Sequence, residues 1–102
     1  MPKKYRIQYL PIAEEDLVQI FEYIYIDNPE AAARFVERMD TATKKLESFP
    51  RTGPIPNDNR LKLLGYRMLV IDNYIVFYVL IKDVVEIRRI VHGKRRYSFL
   101  LE

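Results

Sequence analysis

Apolar and polar residues alternate at the start of the chain, where Tyr5, Ile7 and Tyr9 are separated by Arg6 and Gln8. A period of two predicts a short, half-buried strand. From Pro11 the period changes. Ala13, Leu17, Ile20, Phe21 and Ile24 fall at i, i+4, i+7, i+8 and i+11, the stripe of an amphipathic helix of about four turns. Pro11 suits the first helical turn, where its missing N–H costs nothing. Glu14, Glu15 and Asp16 lie where the macrodipole favours anions. This helix is predicted to end near Ile26. Asp27-Asn28-Pro29-Glu30 then restarts helix: Asn28 can cap, and Pro29 and Glu30 fit the first helical positions. A second helix runs to about Phe49, with Ala32, Phe35, Val36, Met39, Thr43, Leu46 and Phe49 on one face, and Pro50 stops it. The short break makes an antiparallel helical hairpin.

Pro50, Gly53, Pro54, Pro56 and Gly65 mark residues 50–65 as a loop, with a short turn at Leu61–Leu64. Three strand-like runs follow: Tyr66–Ile71, Tyr74–Ile81 and Val84–Val91. Asp72-Asn73 and Lys82-Asp83 join them as tight turns, giving an antiparallel meander. The middle run is almost wholly apolar, as expected of a strand covered on both faces. The order β-α-α-β-β-β predicts an α+β fold: an antiparallel-rich sheet with the N-terminal helical hairpin packed on one face. The other face is expected to be partly open and flanked by the tail Gly93–Glu102. Leu17, Ile20, Ile24, Val36, Met39, Leu46, Val76 and Val91 are the expected core.

The 102 residues suit one domain spanning 1–102, and 49% hydrophobic residues exclude global disorder. The absence of cysteine excludes disulfides, thiolate metal sites and cysteine nucleophiles. His92 is the one histidine, and neither a metal nor a cofactor is expected. No apolar run is long enough to span a bilayer. No membrane association is expected, and a reducing cytoplasm is the expected compartment. Residues 1–50 carry a net charge of −2 and residues 51–102 a net charge of +5. Arg88, Arg89, Lys94, Arg95 and Arg96 crowd into nine residues around His92, which suits an anionic partner or a solvated basic face.

The glycines form no phosphate-cradling spacing, and no Gly-x-Ser-x-Gly elbow is present. Alternation along the last strand puts Glu86, Arg88 and His92 on one face and Arg89 on the other. Arg88 then either pairs with Glu86 or binds phosphate or carboxylate. Histidine as a residue type titrates close to neutrality, so His92 is a candidate general acid or base, or a structural residue. In the tail, Arg95 and Arg96 can hold phosphate, and Tyr97 can stack on a base or donate a proton.

Several segments in order resemble the RelE/ParE superfamily of bacterial toxins, and the resemblance runs from Tyr5 to Leu101. They are Glu15-Asp16-Leu17 with Ile20-Phe21-Glu22-Tyr23-Ile24, Asn28-Pro29-Glu30-Ala31-Ala32, Leu46-Glu47-Ser48-Phe49-Pro50, Gly65-Tyr66-Arg67, Asn73-Tyr74-Ile75-Val76-Phe77-Tyr78 and Ile87-Arg88-Arg89-Ile90-Val91-His92-Gly93-Lys94-Arg95. The resemblance implies the same β-α-α-β-β-β fold and a toxin neutralised by a cognate antitoxin. It also implies one of two activities: RelE-like, metal-independent cleavage of messenger RNA on the ribosome, or ParE-like poisoning of DNA gyrase.

By that resemblance Arg67 and Arg95 fall on RNA-contacting and catalytic positions of the nucleases, with His92 or Tyr97 as proton donors. Arg88, Lys94 and Arg96 would contact the target. Ile75 stands where the nucleases usually carry a phosphate-binding arginine, and Asp58 is the one carboxylate placed to serve as a loop base. Those departures and the Asn28-Pro29 hairpin favour the gyrase class. The ribonuclease and a non-toxic, antitoxin-binding relative remain as alternatives.

Overall fold

A computed structural model describes residues 4–94. The elements are β1 (Arg6–Tyr9), α1 (Pro11–Asp27), α2 (Pro29–Ser48), α3 (Asn59–Leu63), β2 (Arg67–Ile71), β3 (Tyr74–Ile81) and β4 (Val84–His92). The predicted order holds, and the turn at Leu61 becomes the short helix α3. One residue separates the long helices. Asn28 is extended; its N–H donates to the Ile24 carbonyl and closes α1, while its side chain accepts from the Ala31 N–H and opens α2. A single asparagine therefore satisfies an orphan group at each helix end.

The sheet order is β1-β4-β3-β2. β2–β3 and β3–β4 are the expected antiparallel hairpins, and β1 lies parallel to β4, so the sheet is mixed. Asp72 and Lys82 open the two hairpin turns with φ of 55°. A positive φ at the first turn position fits the right-handed twist of the flanking strands.

α1 packs on β4, and α2 spans β1 and β2. Between them and the sheet lie Ala13, Phe35, Met39, Leu46, Val76, Tyr78, Val85 and Ile87, with Leu17, Ile20 and Ile24 partly buried. Val36 departs from the expected core at 40% exposure, and Phe49 is also exposed. Both sit at the margin of the α2 stripe, beyond the reach of the sheet. The opposite sheet face is covered in part and open in part, with Val70 67% exposed there. Leu61, Tyr66, Phe77, Val79 and Val91 are buried there, with Met68 and Ile75 packed against them. α3 places Leu61 over that face.

β4 carries the main departure from simple alternation. Phe77 pairs with Arg89 while Tyr78 pairs with Ile87, so Arg88 is an extra residue in the ladder. This β-bulge resets the side-chain phase. Glu86 and Arg88 stay on the α3 side, whereas Ile90 and His92 turn toward the helical hairpin. The expectation that Glu86, Arg88 and His92 share a face is thus corrected.

The loop after α2 is tied to the sheet. The buried Tyr78 hydroxyl donates to the Pro50 carbonyl (2.8 Å) and accepts from the Gly53 N–H (3.1 Å). The Met68 N–H bonds the Pro54 carbonyl. A Cβ at Gly53 would sit 2.5 Å from that hydroxyl, so only glycine permits this approach.

Candidate target-binding site

The candidate cations occupy distinct places. Arg67 falls, by the resemblance, on a position that meets RNA in the nucleases. Its Nη1 instead donates to the Arg51 carbonyl (3.0 Å) and the Gly53 carbonyl (2.9 Å), so it is half-buried and holds the loop. Arg88 Nε lies 2.9 Å from Glu86 Oε1, with its guanidinium 5.6 Å from the Tyr66 ring centroid. Burial disfavours its charge, but Tyr66 and Glu86 outweigh that and raise its pKa. Of the two readings of Arg88, the geometry realises the pairing with Glu86. Arg89 is held by Asp16 of α1 through Nε–Oδ2 (2.7 Å) and Nη2–Oδ1 (3.1 Å). The same carboxylate accepts the Ile90 N–H at 3.0 Å. β1 ends opposite Ile87, so this edge of β4 has no further strand beside it, and Asp16 takes its place.

Asp58 is the N-cap of α3 and accepts the N–H groups of Arg60 (2.8 Å) and Leu61 (3.2 Å). The Leu61 and Arg60 bonds, with the Arg60 charge, outweigh desolvation and lower its pKa. A carboxylate held in its ionised form is a weak general base at neutral pH. Arg95, Arg96 and Tyr97 lie outside the described residues.

His92 and Lys94 stand where the end of β4 meets the β2–β3 turn. The His92 ring meets Tyr74 edge to face at 5.5 Å, and Tyr74 meets Phe35 the same way at 5.3 Å. His92 Nδ1 accepts the Lys94 N–H at 3.2 Å. Three concavities adjoin this point. One of about 610 Å³ lies between the hairpin tip and the turn, lined in part by Tyr23, Arg34, Arg38, Asn73, Tyr74 and His92. A second, of about 340 Å³, continues past Asn73 to Gly93 and Lys94. A third, of about 210 Å³, reaches toward Gln19 of α1. Arg38 is fixed against Asp72 across the first cleft. Burial, with a smaller contribution from Tyr23, raises the pKa of the Tyr74 phenol, which therefore stays protonated at neutral pH.

Sequence reasoning placed His92 and Lys94 here but missed Tyr23, Arg34, Arg38 and Asn73. The signal in the chain is the i, i+4 spacing of Arg34 and Arg38, which puts both on one face of α2.

The family model for the ParE toxin of type II toxin-antitoxin systems, parDE, matches residues 7–97. The chain belongs to the ParE toxin family. The candidate toxin Y4kP of Sinorhizobium fredii (strain NBRC 101917 / NGR234) is 33% identical over 96 residues, covering 94% of this chain and 96% of that protein. Among solved structures, the chromosomal ParDE system of P. aeruginosa is similar at a TM-score of 0.73 and 18% identity, over 89% of this chain and 98% of that one. The RelBE2 toxin-antitoxin complex of Mycobacterium tuberculosis is similar at a TM-score of 0.59 and 23% identity, over 87% of this chain and 98% of that one. Those two likenesses establish the RelE/ParE fold. This ParE-family chain is thus a toxin of a type II toxin-antitoxin system, and the basic cleft lies at one end of its sheet.

Proposed function

We propose that the toxin arrests growth by binding DNA gyrase through the basic end of the sheet, around His92 and Lys94, without chemistry of its own. One observation carries this reading: the two ribonuclease candidates among the described residues, Arg67 and His92, lie apart on the sheet. Arg67 pairs with Tyr78 of β3, whereas His92 pairs with Tyr74. Four residues of strand separate those positions, about 13 Å at the rise of a β-strand. The Arg67 guanidinium is moreover engaged by loop carbonyls. Cleavage needs a base, an acid and charge stabilisation within hydrogen-bond reach of one bond. Asp58, the one carboxylate considered as a base, is held as a helix cap.

A cognate antitoxin is the second expected partner. ParDE and RelBE2 are toxin-antitoxin systems, and this chain leaves Tyr23, Tyr25 and Ile26 exposed on α1, where an amphipathic segment can dock. Co-expression with the product of the adjacent gene is expected to yield a stable complex.

The deciding experiment adds purified toxin to gyrase and relaxed plasmid. Loss of supercoiling in step with toxin concentration is expected. Unaffected supercoiling at large molar excess overturns the reading. In growing bacteria, thymidine incorporation is expected to fall before methionine incorporation. The reverse order assigns the ribosome instead, and harmless expression of soluble protein assigns a non-toxic relative.

A further inference from the structure

We propose that the cleft between the hairpin tip and the β2–β3 turn is a nucleotide site, taking the base and phosphate of one nucleotide, free or at the end of a single strand. The inference does not depend on gyrase being the target. The cleft holds about 610 Å³, within the range of small-ligand sites of ~300–1,000 Å³. Its lining supplies the three elements nucleotide recognition needs.

The first is a phosphate donor. Arg34 is exposed on the cleft wall and has no carboxylate partner among the described residues. Its planar fork suits two phosphate oxygens. Arg38, one helical turn on, is held by Asp72, so it adds a fixed wall and little net charge.

The second is an aromatic platform. Tyr23 is 75% exposed beside the cleft, so a ring is open to solvent there. In the same lining, Tyr74 meets both Phe35 and His92 edge to face, so the wall there is aromatic. Base–aromatic stacking contributes substantially to binding single strands whatever the base.

The third is an edge reader. The Asn73 main chain is fixed, its carbonyl accepting the Gly93 N–H at 2.8 Å. Asn73 lines the same cleft, and its side-chain amide carries donors and an acceptor that suit a base edge. An acidic peptide would use Arg34 but would leave the open ring and the amide without a role.

The test titrates full-length toxin with AMP, GMP, CMP and UMP, with inorganic phosphate, and with a short single-stranded oligonucleotide, by calorimetry and by amide chemical shifts. Saturable binding of at least one nucleotide is expected, with shifts centred on Tyr23, Arg34 and Asn73. Arg34→Ala is expected to weaken it at least ~10-fold, as loss of a charge-assisted hydrogen-bond pair does. Arg34→Lys is expected to recover part of that, and Tyr23→Ala to weaken it several-fold. Both positions are exposed, and an unchanged thermal midpoint confirms folding.

Mononucleotide binding as tight as that of the oligonucleotide assigns a free nucleotide. Tighter oligonucleotide binding with the same variant pattern assigns a strand end. The proposal is overturned if no nucleotide saturates the cleft, if phosphate alone binds equally well, or if none of the variants changes affinity.

Discussion

Two residues show how position in the sheet changes what an arginine does. Arg89 and Asp16 are mostly buried, with side chains 18% and 12% exposed, and the Asp16 carboxylate also receives the Ile90 N–H. Removing the charge while keeping the shape isolates this interaction. Asp16→Asn is expected to destabilise the fold by roughly 1.5–3 kcal/mol, the range for hydrogen bonds to a charged partner. A urea midpoint within error of wild type would show that the pair does not hold α1 against β4.

Arg67 makes the opposite point. Its place in the sequence resembles a nuclease contact, yet its guanidinium ties down the 51–53 loop. Arg67→Ala is therefore expected to lower stability measurably and to leave gyrase inhibition per folded molecule unchanged. Loss of inhibition at full stability would return Arg67 to the target-binding surface.

At the scale of elements, local signals were strongest where physics is local. Both long helices could be read from apolar spacing, Pro11, Asn28-Pro29 and Pro50, because capping and proline geometry act within one turn. The hairpins could be read from Asp72-Asn73 and Lys82-Asp83. The Arg88 bulge could not be read, since a period of two carries no mark of an inserted residue until its partner strand is known. β1 beside β4 was equally hidden, because a parallel pairing joins residues far apart in the chain.

The short helix α3 shows a local signal with a consequence for pH. Asp58 caps it, and the Leu61 and Arg60 N–H groups with the Arg60 charge lower the carboxyl pKa. A depressed folded-state pKa contributes stability that is present above the unfolded carboxylate value of about 4 and is lost as pH falls through the folded value. Asp58→Asn keeps a capping oxygen but removes the charge. The difference in urea midpoint between wild type and Asp58→Asn is expected at pH 7 and should narrow as the pH drops below about 4. A difference that stays constant to pH 2 would separate the cap from the charge.

Across the whole molecule, charge is divided along the chain, −2 in the first half and +5 in the second. The fold does not simply keep that division. It brings Arg34, from the acidic half, beside His92 and Lys94 from the basic half, at one end of the sheet. The candidate site was half legible for this reason: His92 and Lys94 stand in a basic run, whereas Arg34 joins them only once α2 is laid across the sheet. A surface assembled this way should steer an anionic partner over a distance that salt shortens, since the screening length falls to roughly 10 Å at 0.1 M. Steering acts mainly on association rate and contact at the rim acts little on fold stability. Arg34→Ala with Lys94→Ala is therefore expected to weaken growth arrest and slow target association, with thermal stability unchanged. Wild-type association should slow steeply as salt is raised, and the double variant should respond less. Surface-binding kinetics on immobilised gyrase, read at several salt concentrations, measure both slopes. Equal slopes would mean that these two cations do not face the target, and the contact surface would then have to lie elsewhere, with the exposed apolar stripe of α1 as the next surface to test.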